Sequence, residues 1–269
     1  MASENELLAT ALAAADAAAD IHRRYRGRLH AGDARRKGPS DFVSHVDLEA
    51  EEAALRVIRE SFPDHRILAE EESAEGNAGG GRDDPGPAWI VDPLDGTTNF
   101  LHGHPMFASS VGVVQRGEAI AGAVVAAATE ERWWAAKGSG AYRNGERIRT
   151  SDVRDLEGAL VGTGFPFRRP EELDDYLADF RKVFPRATGI RRGGSAALDL
   201  CYLAQGSLDA FWEGQLAPWD IAAGCAILAE SGGACSRVDR TPIDFVSPGS
   251  VLAGNSEALL EALAAVLSG

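Results

Sequence analysis

The pattern of apolar and polar positions alternates between helical and extended periods along most of the chain. Leu8, Leu12, Ala15, Ala19 and Ile21 recur at helical spacing and predict a long helix from Glu4 to about Arg26. A second helix is predicted from about Asp47 to Ser61, with Leu48, Leu55, Val57 and Ile58 as its apolar members and Pro63 beyond its end. Asp47 sits where an N-cap belongs, so capping and membership of a site are equally good reasons for that aspartate. Phe42-Val43 starts a short strand, and Ile67-Leu68-Ala69 is another that runs into Glu70-Glu71-Glu72. The Gly-, Asp- and Pro-rich stretch from Gly76 to Pro87 predicts an exposed loop, followed by a strand over Ala88–Val91.

From Phe107 to Ala128 small and branched apolar residues give a β pattern, broken by a turn at Arg116-Gly117-Glu118. Trp133–Ala135 continues it, and Asn144-Gly145 marks a hairpin, so this half predicts a meandering antiparallel sheet. The second half mixes strands at Ala159–Thr163, Leu208–Trp212 and Val251–Ala253 with helices. Those helices cover Glu171–Phe184, Ser195–Gln205, about Asp220–Ser231 and the stretch from about Ser256 onward. The class is therefore mixed α and β. There is no internal repeat.

Composition removes partners without choosing a function. The 269 residues carry 27 Lys and Arg against 41 Asp and Glu, a formal charge of −14, which argues against nucleic acid and anionic membranes as general partners. Three cysteines, Cys201, Cys225 and Cys235, lack metal-finger spacing and read as reduced thiols of a cytoplasmic protein. No basic-then-apolar leader opens the chain, and no apolar window is long enough to span a bilayer.

The chemistry concentrates where carboxylates meet strand ends and helix starts: Asp47, Glu70, Asp92, Asp95 and Asp220. Several carboxylates converging on one sheet rim repel unless hard cations, Mg²⁺ above all, neutralise them. In Asp92-Pro93-Leu94-Asp95, Pro93 removes an amide donor and turns the chain directly after the strand, so both aspartates and the Leu94 carbonyl can surround one centre. Gly96-Thr97-Thr98 then offers successive amides to an anion. Thr97 is either an ordinary helix cap or the holder of a nucleophilic water whose proton Asp47 accepts. Metal and phosphate cradle in one loop point to metal-assisted phosphoryl transfer to water. His102 and His104 flank Gly103 just afterwards, but the hard-oxygen donors argue against a transition-metal centre.

Two segments, Trp89-Ile90-Val91-Asp92-Pro93-Leu94-Asp95-Gly96-Thr97-Thr98-Asn99-Phe100 and Trp219-Asp220-Ile221-Ala222-Ala223-Gly224, resemble the two signature motifs of the inositol monophosphatase family. That family lies within the Mg²⁺-dependent, lithium-sensitive phosphatases that include fructose-1,6-bisphosphatase. Asp41–Asp47 resembles the family's upstream element, and Ile67–Glu71 its glutamate-bearing strand end. The resemblance implies an α+β fold, a layered α-β-α-β-α sandwich, as one domain over residues 1–269 with lobes of about 1–150 and 151–269. It implies that Glu70, Asp92, Asp95, Asp220 and the Leu94 carbonyl hold two or three Mg²⁺ ions, Glu70 counting among the catalytic residues as well. Asp47 and Thr97 would activate the water, and Asp95, Gly96 and Thr97 would hold the phosphate. Gly194, Ser195, Ala196 and Glu213 would meet the hydroxyl-bearing part of the substrate, and Lys37 lies in the loop folded over the site. A homodimer is also implied.

The third glutamate before Ser73 leaves Glu70 and Glu71 both open as the ligand. Inositol 1-phosphate is the first expected substrate. Histidinol phosphate follows, then fructose-1,6-bisphosphate and 3′-phosphoadenosine nucleotides. The competing reading from a different class is a regulatory protein that keeps the fold and binds RNA or another protein.

Overall fold

A computed structural model describes residues 3–29, 35–38, 41–74 and 86–269. The expected loop from Gly76 falls almost wholly outside them. In chain order the elements begin with α1 (Glu4–Tyr25), β1 (Arg35–Gly38), β2 (Asp41–Val43), α2 (His45–Ser61), β3 (Arg66–Ala69), α3 (Glu70–Ala74), β4 (Ala88–Asp95) and α4 (Thr97–Leu101). There follow β5 (Ala108–Gln115), β6 (Glu118–Ala126), β7 (Glu131–Ala136), β8 (Gly140–Arg143), β9 (Glu146–Ile148) and β10 (Leu160–Thr163). The chain ends with α5 (Leu173–Val183), β11 (Gly189–Arg191), α6 (Ala196–Ala204), β12 (Ala210–Leu216), α7 (Pro218–Ser231), β13 (Ala234–Ser236), β14 (Gly249–Gly254) and α8 (Glu257–Ser268).

Seven strands, β3 to β9, form one sheet in sequence order, with β3 and β4 parallel and the remaining neighbours antiparallel. A five-stranded sheet has the order β11-β10-β12-β14-β13, parallel on the β11 side and antiparallel on the β13 side. Helices α1 and α2 cover one face of the large sheet, α6 and α7 fill the space between the sheets, and α5 and α8 cover the outer face of the small one. That is the five-layer α-β-α-β-α sandwich that the family resemblance implies.

Small side chains set the spacing of the layers. Ala11, Ala14, Ala15, Ala18 and Ala19 of α1 are fully buried, so that helix lies close on β5 and β6. On the opposite face, a Cβ on Gly112 or Gly122 would stand 2.7 Å from the Ala222 Cβ or 2.5 Å from the Ala223 carbonyl oxygen. The bare glycines of β5 and β6 thus let α7 press against the sheet, which brings its N-terminus to the end of β4.

Several elements differ from the sequence-based expectation, among them β1, a strand that contains Lys37 in the expected loop, and α3. The helix expected from Asp47 begins at His45, with Ser44 as its N-cap and Asp47 as the third helical residue, bonded back to the Ser44 amide. Ser44, not Asp47, supplies the oxygen that caps the helix. The helix expected from about Asp220 starts at Pro218, and Asp220 again returns its carboxylate to the preceding Ala217 amide at 2.6 Å. Nor does β4 end at Val91. It continues to Asp95 through a register irregularity between Asp92 and Asp95, because Pro93 has no amide to give the ladder and pairing resumes at Asp95 opposite Ala108. Two short strands, β11 and β13, carry too few residues to show a period.

Candidate active site

Alternation along β4 decides where its carboxylate points. Trp89 and Val91 pack into the core shared with α1 and α2, whereas Ile90 packs into the core between the sheets. Asp92, in step with Ile90, faces the α7 side. Its Oδ1 accepts the Leu94 amide at 3.0 Å, closing an Asx turn over Pro93. Behind the turn, buried His22 of α1 holds the Pro93 carbonyl at 2.8 Å through Nε2. Burial lowers the His22 pKa to about 4, so the ring is neutral and donates from Nε2.

Asp95 serves the second half of the chain as well as the first. Its Oδ2 accepts the Ser195 hydroxyl at 2.6 Å and the Ala197 amide at 2.8 Å, tying the end of β4 to the start of α6, where Ser195 is the N-cap. Asn99 adds a second tie: its Nδ2 donates to the carbonyls of Met106 at 2.6 Å, Gly193 at 3.1 Å and Gly194 at 3.3 Å. With α7 pressed on the sheet, Asp220 completes the group. Asp92, Asp95 and Asp220 each offer an oxygen, and these oxygens lie within 4.8 Å of one another. All three side chains are at most 9 % exposed.

The electrostatics follow from that crowding. Burial pushes Asp92 well above the usual carboxylate range, and Glu70, Asp95 and Asp220 push it further. Burial raises Asp95 to about 6 against the opposing bonds from Ser195 and Ala197. Asp220 rises to about 7, first by burial and then by Asp95, with Arg168 opposing. Such a set keeps its protons to a higher pH than free aspartates do.

The carboxylates form the wall of a cavity of about 380 Å³. Glu70, Asp92, Leu94, Asp95, Gly96 and Thr97 line it from the first half of the chain, and Gly194, Ser195, Ala196, Glu213 and Asp220 from the second. Of the two glutamates left open by the sequence, Glu70 lines the cavity and Glu71 is buried away from it. Asp47 is not in the wall. It stands one layer behind, where its Oδ1 accepts the Thr97 hydroxyl at 2.9 Å and its Oδ2 accepts the Ser44 amide and hydroxyl at 2.8 and 2.7 Å. Burial raises Asp47 to about 6 in spite of these bonds. The Leu94 carbonyl also accepts from Thr97 Oγ1, at 3.1 Å. His102 and His104 are exposed and do not line the cavity. The Lys37 side chain lies outside the described residues.

Gly96 makes the loop possible. Its φ of 91° is left-handed, and a Cβ there would stand 2.7 Å from the Met106 carbonyl oxygen. Gly96→Ala is expected to lower the unfolding free energy by about 1–2 kcal/mol from the backbone alone, with the steric contact adding to it. A urea midpoint equal to the wild type would show that the loop relaxes without cost.

Sequence reasoning missed an aromatic and basic part of the lining. Phe165, Phe167, Arg168, Arg169 and Arg192 line the cavity there. The Arg192 guanidinium lies 5.7 Å from the Phe165 ring centre and 5.1 Å from that of Phe167. The Arg168 guanidinium stands 4.0 Å from the Glu70 carboxylate. The available signal was Phe165-Pro166-Phe167-Arg168-Arg169 directly after a strand end, an aromatic and basic run in an acidic chain.

A sequence model of the inositol monophosphatase family matches residues 3–269. A Nus factor SuhB from Pseudomonas aeruginosa is 41% identical over 253 residues, covering 93% of this chain and 92% of the relative. A protein from Aquifex aeolicus named fructose-1,6-bisphosphatase/inositol-1-monophosphatase is 41% identical over 238 residues, 88% of each chain. Among solved structures, an inositol monophosphatase from Anabaena (Nostoc) sp. PCC 7120 superposes with a TM-score of 0.86 at 35% identity, covering 98% of this chain and 96% of that one.

Proposed function

The chain belongs to the inositol monophosphatase family, whose members are metal-dependent and act on small phosphorylated substrates, and on that premise we propose that it hydrolyses a small phosphate monoester with Mg²⁺, inositol 1-phosphate first. The observation that carries the reading is the meeting of Asp92, Asp95 and Asp220 in one cavity wall beside the Gly96–Thr97 loop.

The donors fit a hard divalent cation. They are buried oxygen atoms within 4.8 Å of one another, with pKa values raised first by burial and then by neighbouring carboxylates. Glu70, Asp92, Asp95, Asp220 and the Leu94 carbonyl would hold two or three Mg²⁺ ions. When bound, the metal supplies Lewis-acid polarisation of the phosphate and lowers the pKa of the attacking water.

The chain's own residues do the remaining work. Thr97 donates its hydroxyl proton to Asp47 Oδ1, which leaves the Thr97 oxygen free to accept a hydrogen bond from water. As that water's oxygen bonds to phosphorus, its proton passes to Thr97 Oγ1 and the Thr97 proton passes to Asp47. The ester P–O bond breaks, and the leaving alkoxide takes a proton from solvent in the open cavity. Amides of Gly96 and Thr97, free of helical partners in the first turn of α4, hold the phosphate. Gly194, Ser195, Ala196 and Glu213 face the alcohol. We read residues 1–269 as one catalytic unit that works as a homodimer.

Phosphate release from a panel tests this: inositol 1-phosphate, histidinol phosphate, fructose-1,6-bisphosphate and a 3′-phosphoadenosine nucleotide, each with Mg²⁺ and with EDTA. Inositol 1-phosphate is expected to be cleaved fastest, and only with Mg²⁺. Preference for histidinol phosphate would reassign the substrate, and no release from any ester would remove the enzymatic reading. The name Nus factor on the Pseudomonas aeruginosa relative favours a second reading, in which the fold also serves a macromolecular partner. A folded protein without turnover would turn attention to that reading.

A further inference from the structure

Two carboxylates, Asp47 and Glu51, stand one helical turn apart on the inner face of α2. Asp47 reaches Thr97. Glu51 serves a different segment: its Oε2 accepts the Glu71 amide at 2.8 Å and its Oε1 the Glu72 amide at 2.9 Å. Its side chain is nearly buried, at 4 % exposure.

The segment it holds, α3, follows directly on β3. Among the described residues α3 has five, far too few to be stable alone. Its first amides have no acceptor within the helix, and Ala69 before it has no side-chain oxygen to cap them. Glu51 provides from another helix the cap that the local sequence lacks. Burying a carboxylate is costly unless it is well bonded, and two amide donors to one carboxylate are strong bonds. An apolar residue would pack this position more cheaply but could not direct the chain. The residue whose direction is at stake is Glu70, the first of α3 and the one whose side chain lines the cavity.

We propose that Glu51 is a positioning residue for Glu70: by holding the two amides that follow it, Glu51 sets where the Glu70 carboxylate stands beside Asp92 and so sets the affinity of the site for its divalent cation. This rests on the metal-site reading given above. Glutamine cannot replace it, because the amide offers one acceptor oxygen and turns N–H groups toward a backbone N–H. The partly exposed Arg59–Glu72 ion pair, at 2.7 Å, joins the same two helices through side chains, whereas Glu51 holds the backbone amides themselves.

Mg²⁺ titration calorimetry on the full chain tests the assignment, with wild type, Glu51→Gln, Glu51→Asp, Glu70→Gln and the Glu51→Gln/Glu70→Gln double variant, each also melted in EDTA. Glu51→Gln is expected to raise the Mg²⁺ Kd about tenfold or more, the scale for losing a group that orients a metal ligand. In the Glu70→Gln background the same change is expected to move Kd less than about twofold, because the ligand it orients is already gone. A lowered Tm with an unchanged Kd would make Glu51 a structural residue and overturn the assignment. Full additivity with Glu70→Gln would overturn it too. Should Glu51→Gln fail to fold, Glu51→Asp keeps the charge with a shorter reach; an intermediate rise in Kd supports the assignment and a wild-type Kd refutes it. Wild-type protein that binds no Mg²⁺ removes the metal site itself, and the assignment with it. Equal binding by wild type and Glu51→Gln removes the assignment alone.

Discussion

Asp95→Asn is expected to lose at least about a hundredfold in Mg²⁺-dependent phosphate release, the scale of removing one group that acts directly on charge in the transition state, while the protein stays folded. The reason for both halves lies in the two faces of the side chain. Asp95 Oδ2 accepts from Ser195 Oγ and the Ala197 amide, and the carbonyl oxygen of asparagine can keep both bonds. The amide then carries a nitrogen in place of the second carboxylate oxygen, within the cluster of Asp92 and Asp220. A donor stands where a cation needs an acceptor. Circular dichroism and melting check the fold, and single-turnover phosphate release checks the chemistry. Wild-type turnover in Asp95→Asn with Mg²⁺ would sink the mechanism.

The gap between melting temperatures in Mg²⁺ and in EDTA is expected to widen as pH rises from about 5 to about 8. Asp95 is raised to about 6 and Asp220 to about 7, and Asp92 is also raised. Unfolded aspartates titrate near 3.9, so between roughly pH 4 and 7 the folded, metal-free chain holds more protons than the unfolded one. Stability therefore falls as pH rises through that window, and below it both states are protonated and the penalty vanishes. Buried His22, lowered to about 4, works in the opposite direction below its unfolded pKa, but it is common to both samples and cancels in the gap. At a hundred times its Kd, Mg²⁺ adds roughly 2.7 kcal/mol, which for a chain of this size is roughly 5–10 °C in Tm. A gap of zero at pH 8 would remove the carboxylate cluster as a metal site.

The elements carrying long apolar runs were legible because periodicity needs only sequence. The α1 stripe, the β5–β6 pair and the Asn144-Gly145 hairpin, with left-handed φ of 49° and 89° at the two turn residues, all follow from local pattern. The helix starts at Ser44 and Ala217 were misplaced because an aspartate at the third helical position and an aspartate at the cap look alike in sequence. Only the direction of the hydrogen bond separates them. β11 and β13, at three residues each, pair with strands remote in the chain and carry no period of their own.

Within the cavity the same division holds. The sequence by itself determined the donor types and the loop that carries them: aspartates at a strand end, Pro93 to break the ladder, Gly96 to pass through a left-handed turn. These are properties of neighbouring residues, so a local reading can reach them. The tertiary structure decided which of Glu70 and Glu71 faces the cavity, that Asp47 stands behind Thr97 rather than in the wall, and that Glu51 caps α3 from another helix. It also brought Arg168 and Arg192 into the cavity lining, with Arg168 4.0 Å from Glu70. Each of these depends on how closely two layers approach and how a helix is rotated on its axis. Gly112, Gly122 and the alanines of α7 fix that approach, and no spacing within a single segment encodes it.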